Sequence, residues 1–446
     1  MRASEAEPLF FRPPRVYVLA GVRDDPDAAA RADRLCASFG AGDVRTIDYA
    51  DLPDVVVEHQ WDHRRRMGEL DEVPPPVPIL GLFRFDREVV ARDAERMEAA
   101  YRGDGGFPWR LAAGGGAFTF FCSGLDEVRV NPQHVCRPQW RIHQGQGCPH
   151  QCAYCALGGF LLTHVNTERY IAHLAKLLAA NPWQKTFLYD DVMDVLTLEP
   201  QHGTLGPLMR FFQSTGDRYL IVHTKSDRVD ALIDAGAPRN TIVAWSLSGP
   251  RQSRRLERLS GTTESRVEAA RRCQDAGITV RYKFKPIVPI ADWRADADAA
   301  LEAALTRTRP DNLSMTLLMW MSIDEVTACI EASMLDAEFL AAARQADGGR
   351  AFRRTDPFPR AVRETVYRHY LDRIRRIDPD VPVTLSTESL GLWRSLGPEL
   401  GFTPRNYVCG CGAGAIPHRR LLPTDPWADA RAARRWDGAP AAPGDE

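Results

Sequence analysis

From residue 140 to 318 the chain alternates short runs of β-branched and aromatic residues with longer amphipathic stretches, a rhythm that admits few folds. Strands are expected at 140–143, 186–189, 219–223, 241–246, 280–284 and 313–318, and helices at 167–180, 205–214, 229–235, 265–276 and 292–306. Strands separated by helices of this length pair in parallel through crossovers, so the stretch reads as consecutive βα units. Six such units predict an α/β protein built on a partial (β/α)6 TIM-type barrel, roughly three-quarters of a closed eight-unit circle.

The flanks read differently. A strand at 16–22, a helix at 27–39 and a strand at 44–49 make a small N-terminal α/β unit. Residues 54–78, with the run Pro74, Pro75 and Pro76, look like a connector, followed by a helix at 88–101 and a glycine-rich loop at 103–116. The expected division is an N-terminal domain with connector over 1–110, the barrel over 111–330 and an α/β extension over 331–421. Within that extension a helix is expected at 360–377, a strand at 383–386 and a helix at 389–396, followed by a C-x-C loop. Residues 422–446, rich in Ala, Pro, Asp and Arg, read as a disordered tail.

With 446 residues, 44% of them hydrophobic, the chain can bury a sizeable core. A formal net charge of −2 gives no global basic field, although a local basic groove remains open. No segment approaches the about 18 apolar residues of a membrane span, and the N-terminus lacks the apolar core of a signal peptide. A cytoplasmic protein without membrane contact is expected. Ten irregularly spread cysteines suit a reducing compartment and metal or catalytic use.

Cys148, Cys152 and Cys155 stand in CPHQCAYC with C-x3-C-x2-C spacing, directly after the first expected barrel strand. Three thiolates can hold three irons of a [4Fe–4S] cluster and leave the fourth iron open to an exchangeable ligand. A zinc site with His150 as fourth ligand, or plain packing, are the alternatives. Tyr154 before the last cysteine, and Ala156, Gly158 and Gly159 after it, complete a pattern that resembles radical S-adenosylmethionine enzymes.

The resemblance extends along nearly the whole chain to the spore photoproduct lyase family. It rests on FFRPPRVYVLAG (10–21), CPHQCAYC (148–155), HTKS (223–226), WSLS (245–248) and GITVRYKFKPIVPI (277–290). It implies a [4Fe–4S] cluster on the three cysteines, S-adenosylmethionine as cofactor, and an external one-electron reductant of flavodoxin or ferredoxin type. Lys225 and Ser246 would contact the cofactor's carboxylate or ribose, Tyr154 would lie along the adenine, and Asp191 would sit near the methionyl end. The implied substrate is a nucleic-acid base or nucleoside; a peptide or natural-product intermediate, or a non-catalytic metal or cluster sensor, are the rival readings.

One departure stands out. Spore photoproduct lyases carry a hydrogen-donating cysteine just past the second strand, whereas here YDDVMDVLTLEP (189–200) has none and Asp191 falls near that place. Cys409 and Cys411, flanked by Gly410, Gly412 and Gly414, are the candidate catalytic thiols: a redox pair, a hydrogen donor, or a metal site with Cys136. Asp190, Asp191 and Asp194 could also cap a helix, and Glu388 could contact substrate or cap. Arg251, Arg254, Arg255 and Arg258 could meet phosphates or form a solvated loop. Cys36, Cys122, Cys273 and Cys329 read as packing.

Overall fold

The computed structural model describes residues 9–63, 65–121, 135–347 and 357–422. The expected tail, apart from residue 422, and Cys122 lie outside them. Among these described residues thirteen strands form two sheets. β1 (Val16–Leu19), β2 (Val44–Ile47), β3 (Val77–Gly81), β4 (Phe118–Phe121), β5 (Gln139–Ile142), β6 (Gly145–Gln146) and β7 (Phe160–His164) come first. They are followed by β8 (Thr186–Tyr189), β9 (Tyr219–Thr224), β10 (Thr241–Ser246), β11 (Thr279–Ile287), β12 (Leu313–Leu317) and β13 (Val383–Leu385).

The larger sheet has the order β13-β12-β11-β10-β9-β8-β5-β4, parallel throughout except for β4, which runs antiparallel to β5. The expectation of six strands falls short by two, because β4 adds an antiparallel edge to β5 and β13 joins β12 in parallel instead of belonging to a separate extension. Its edge strands β4 and β13 do not pair with each other, so the sheet is an open one of eight strands.

Register divides this sheet into two unlike faces. Pairing aligns Leu188 with Ile221, Ala244 with His223 and Arg281, Ser246 with Lys283, and Lys283 with Ser314 and then Thr384. Paired residues share a face, and successive residues alternate. One face therefore carries Arg141, His223, Ser246, Arg281, Lys283, Ser314 and Thr384, and the other carries Trp140, Phe187, Val222, Trp245, Tyr282, Met315 and Leu385. The apolar face packs against helices. Phe187 meets Phe212 of the helix Leu205–Thr215 with ring centroids 5.9 Å apart, and Phe284 meets Tyr370 of the helix Arg360–Ile377 at 5.4 Å. Removing that apolar surface from water is the main stabilising contribution here.

The smaller sheet has the order β2-β1-β3-β7-β6. β3 begins in the last two residues of the stretch read as a connector and runs past it. Pro78 argues against a central strand, yet β3 pairs with β1 only from Ile79 onward, past the proline, and with β7 along its length. The unexpected β7 belongs by sequence to the larger unit but lies in the smaller sheet, and it pairs antiparallel with the two-residue β6. Further unexpected elements are the helices Pro250–Leu256, Ile323–Cys329 and Ala337–Asp347. No helix among the described residues is long and apolar enough to cross a membrane.

Candidate active site

The cysteine loop, residues 147–159, is the tip of the β6–β7 hairpin. Both legs lie in the smaller sheet, but β6 follows β5 of the larger sheet after only two residues, so the hairpin starts where the chain passes from one sheet to the other. Gly145 and Gly147 permit this. A Cβ on Gly145 would fall 1.9 Å from the Leu162 carbonyl oxygen, and Gly147 has φ +111 with the Phe160 oxygen 2.0 Å from where its Cβ would be. Backbone bonds from Gly147 N to Val192 O (3.0 Å), Ala153 N to Leu256 O (2.8 Å) and Gly68 N to Ala153 O (2.8 Å) hold the tip on three sides.

Cys152 is buried, and Cys148 and Cys155 are half-buried. Burial pushes the Cys152 thiol up to about 12 and raises the Cys148 and Cys155 thiols as well, so as bare groups they are protonated. Cations in place of those protons would reverse this, since a coordinated thiol is deprotonated. One tetrahedral zinc needs its sulfurs about 3.8 Å apart, but the three do not all lie within 4.8 Å of one another. His150 is not available as a fourth ligand either: Nδ1 bonds to the Leu259 carbonyl at 2.9 Å and Nε2 to Asp194 at 2.9 Å. The donor set fits a multi-iron cluster better than a single ion.

Asp194 is the fastening point of the loop. Its carboxylate accepts from Thr224 Oγ1 at 2.9 Å, from the Lys225 backbone N–H at 2.7 Å and from His150, joining the loop to the end of β9. Asp190 accepts from the Gln144, Asp191 and Val192 backbone N–H groups and lies 2.8 Å from His143 Nδ1. Asp194 stands at the N-cap position of the short 3-10 helix Val195–Leu198, but its side chain makes no cap bond, being spent on the loop and the end of β9. Asp191 pairs with Arg141 at the end of β5. Burial pushes the Asp191 carboxyl up, but Arg141, His143, His223 and Lys283 outweigh it and hold it below the usual carboxylate range.

Lys225 and Tyr154 converge on a buried carboxylate that follows the arginine-rich stretch. Glu257, 1% exposed, accepts from Tyr154 Oη at 2.6 Å, Lys225 Nζ at 3.0 Å, Arg266 at 2.7 Å, Ser248 Oγ at 3.0 Å and Gln252 Nε2 at 3.2 Å. Burial would push its carboxyl up; Lys225 and Arg266 overcome this and hold it well below the usual range. The arginine-rich loop is in fact the helix Pro250–Leu256, whose inner residues Gln252, Ser253 and Leu256 are buried while Arg251, Arg254, Arg255 and Arg258 remain exposed. Ser246 ends β10 beside this network, its carbonyl accepting from Arg266 at 2.9 Å. Glu388 is neither cap nor exposed contact: it is buried against Arg363 and Tyr367, and Ser389 caps the following helix.

A cavity of 650 Å³ opens beside the hairpin, lined by Arg141, His143, Gln146 and Asp191 on one side and by Trp109 and Phe118 on the other. Its size suits a small organic ligand. Residues 136–332 match the family model for spore photoproduct lyase. Over these residues the chain is similar to the spore photoproduct lyases. That family is one of radical S-adenosylmethionine enzymes that use a [4Fe–4S] cluster.

Solved structures agree at the level of fold. A spore photoproduct lyase mutant superposes with a TM-score of 0.56 at 13% identity, covering 84% of this chain and 98% of that one. A double mutant of the lyase with bound AdoMet and dinucleoside spore photoproduct gives 0.55 at 14% identity, with the same coverage. A lyase complexed with dinucleoside spore photoproduct gives 0.54 at 13%, again with the same coverage. No curated protein sequence matches the chain. The matched residues 136–332 include the three cysteines, Tyr154, Asp191, Lys225 and Ser246, whereas Cys409 and Cys411 lie beyond them, with Lys283 Nζ of the larger sheet 3.9 Å from Cys411 Sγ.

Proposed function

We propose that this protein is a radical S-adenosylmethionine enzyme that abstracts hydrogen from a nucleic-acid base or nucleoside, and that its larger sheet works as a partial barrel around the reaction. The observation that carries this reading is the hairpin tip: one buried and two half-buried thiols, too far apart for one ion, beside a 650 Å³ cavity at the polar end of a parallel sheet. When bound to Cys148, Cys152 and Cys155, the cluster together with S-adenosylmethionine supplies a 5′-deoxyadenosyl radical.

The residues of the chain position and shield. Glu257 fixes the Tyr154 ring and the Lys225 ammonium at the cofactor side, with Lys225 Nζ 5.9 Å from the ring centroid. Lys225 and Ser246 then offer polar groups to the carboxylate or ribose, and Asp191 with Arg141 presents a fixed ion pair toward the methionyl end. A nucleic-acid substrate is supported by Arg251, Arg254, Arg255 and Arg258. They line one depression next to Leu256 and Leu259, the residues that hold the cysteine loop.

Anaerobic reconstitution followed by iron and sulfide analysis tests the cluster, with about four of each expected per chain. Incubation with S-adenosylmethionine, a flavodoxin-type reductant and dinucleoside spore photoproduct should then yield 5′-deoxyadenosine and altered dinucleoside. One zinc per chain, or no 5′-deoxyadenosine, would defeat the reading.

A further inference from the structure

We propose that Asp62, His63 and Asp104 form a binding site for a divalent first-row cation, and that the ion clips the stretch supporting the cysteine loop onto the glycine-rich loop after the helix Arg87–Ala100. None of the three residues lines the 650 Å³ cavity, so the site stands whether or not the hydrogen-abstraction reading holds.

The ligand atoms are already gathered. One oxygen of each carboxylate and a ring nitrogen of His63 all lie within 4.8 Å of one another. His63 Nε2 stands 3.7 Å from Asp62 Oδ1 and 3.7 Å from Asp104 Oδ1. Those separations are too long for hydrogen bonds. At metal–ligand bonds of about 2.1 Å, two ligands of one ion stand about 3.0 to 4.2 Å apart, which brackets both. Two carboxylates and one imidazole suit Mn2+ or Zn2+, with water completing the shell.

Asp62 supplies the observation that calls for an ion. It is 4% exposed, and although its Oδ2 accepts from Tyr101 Oη, its Oδ1 is buried with no hydrogen-bond partner and is the oxygen that faces His63 Nε2. A carboxylate oxygen buried unsatisfied is costly, and a cation bound there removes the cost. The other group with these donors, His143, Asp190 and Asp191, is already satisfied: Asp190 accepts from the Gln144, Asp191 and Val192 backbone N–H groups, and Asp191 pairs with Arg141.

Both segments that carry the ligands are anchored. Trp61, next to Asp62, packs its ring 6.4 Å from that of Phe107 and 5.9 Å from that of Phe160, so the two segments share one apolar core. Gly103 and Gly105 flank Asp104 and let its loop close on Asp62, since a Cβ at either would collide with Asp62. Beyond His63 the same stretch reaches the cysteine loop, where Met67 N donates to Cys155 O at 3.1 Å and Gly68 N to Ala153 O at 2.8 Å. An ion between Asp62, His63 and Asp104 therefore steadies the segment on which that loop rests.

The test titrates the full chain with Mn2+ alone, because thiolates select softer ions, and follows the paramagnetic resonance signal of the unbound ion. Wild type should take up about one Mn2+ per chain, and its thermal midpoint should rise as the ion is added. Asp104→Asn and His63→Gln should each weaken uptake roughly tenfold or more and remove the rise. The Asp104 side chain is 91% exposed, so its variant tests the ligand and not the fold. Bound Mn2+ should also slow hydrogen exchange at the Met67 and Gly68 amides in wild type. No uptake by wild type, or equal uptake by wild type and both variants, overturns the site; uptake without protection of those amides overturns the clip.

Discussion

Glu257 shows at the scale of one residue how a charge can be misplaced by sequence reading. Surrounded by arginines, it reads as a member of a solvated loop, but the helix Pro250–Leu256 turns it inward to bind Lys225, Arg266 and Tyr154. Removing it strands two cations in the interior. Glu257→Ala should therefore lose about 3–5 kcal/mol of stability in urea titrations, and an unchanged midpoint would refute the network's role. Because its folded carboxyl is held below its unfolded value of about 4.3, its contribution is whole at neutral pH and fades only as pH falls below that value toward the folded one. Asp194 is a second such residue. Asp194→Ala removes the acceptor shared by His150, Thr224 and Lys225, and the variant should retain less iron per chain than wild type after gel filtration.

At the scale of elements, the expected strands 186–189 and 241–246 and the helices 167–180 and 360–377 coincide with the observed ones, because each carries its full period within its own residues. The β6–β7 hairpin was not legible. β6 has two residues, and FLLTH runs into the helix at Thr167 with no glycine or proline to mark an end. Yet this hairpin decides where the cysteines go. Gly145→Ala should force the Leu162 carbonyl away, costing about 1–3 kcal/mol by thermal melt and reducing cluster content in step. A variant that binds a full complement of iron would show that the hairpin's close pairing does not position the loop.

Across the whole molecule, buried histidines link the fold to pH. Burial pushes His164 down to about 4, His202 to about 3 and His223 to about 4, so all three stay neutral in the fold at pH values where the unfolded chain protonates them. The unfolded state then binds more protons, and stability must fall as pH drops from about 6.5 toward 4, by up to about 1.4 kcal/mol per pH unit for each group. Urea midpoints at pH 7 and pH 5 should differ clearly, and His202→Gln should lessen the difference; equal midpoints would contradict the burial of these rings. Local periodicity determined the βα class, and cysteine spacing singled out the three candidate ligands, since both are written within a few turns of chain. Only the tertiary structure decided that β7 leaves its own unit to join the N-terminal sheet, that Glu257 gathers Lys225, Arg266 and Tyr154, and that residues 407–415 close over the polar face. Those outcomes depend on carbonyls and charges far apart in sequence finding partners once water is excluded, and no window of sequence contains both partners.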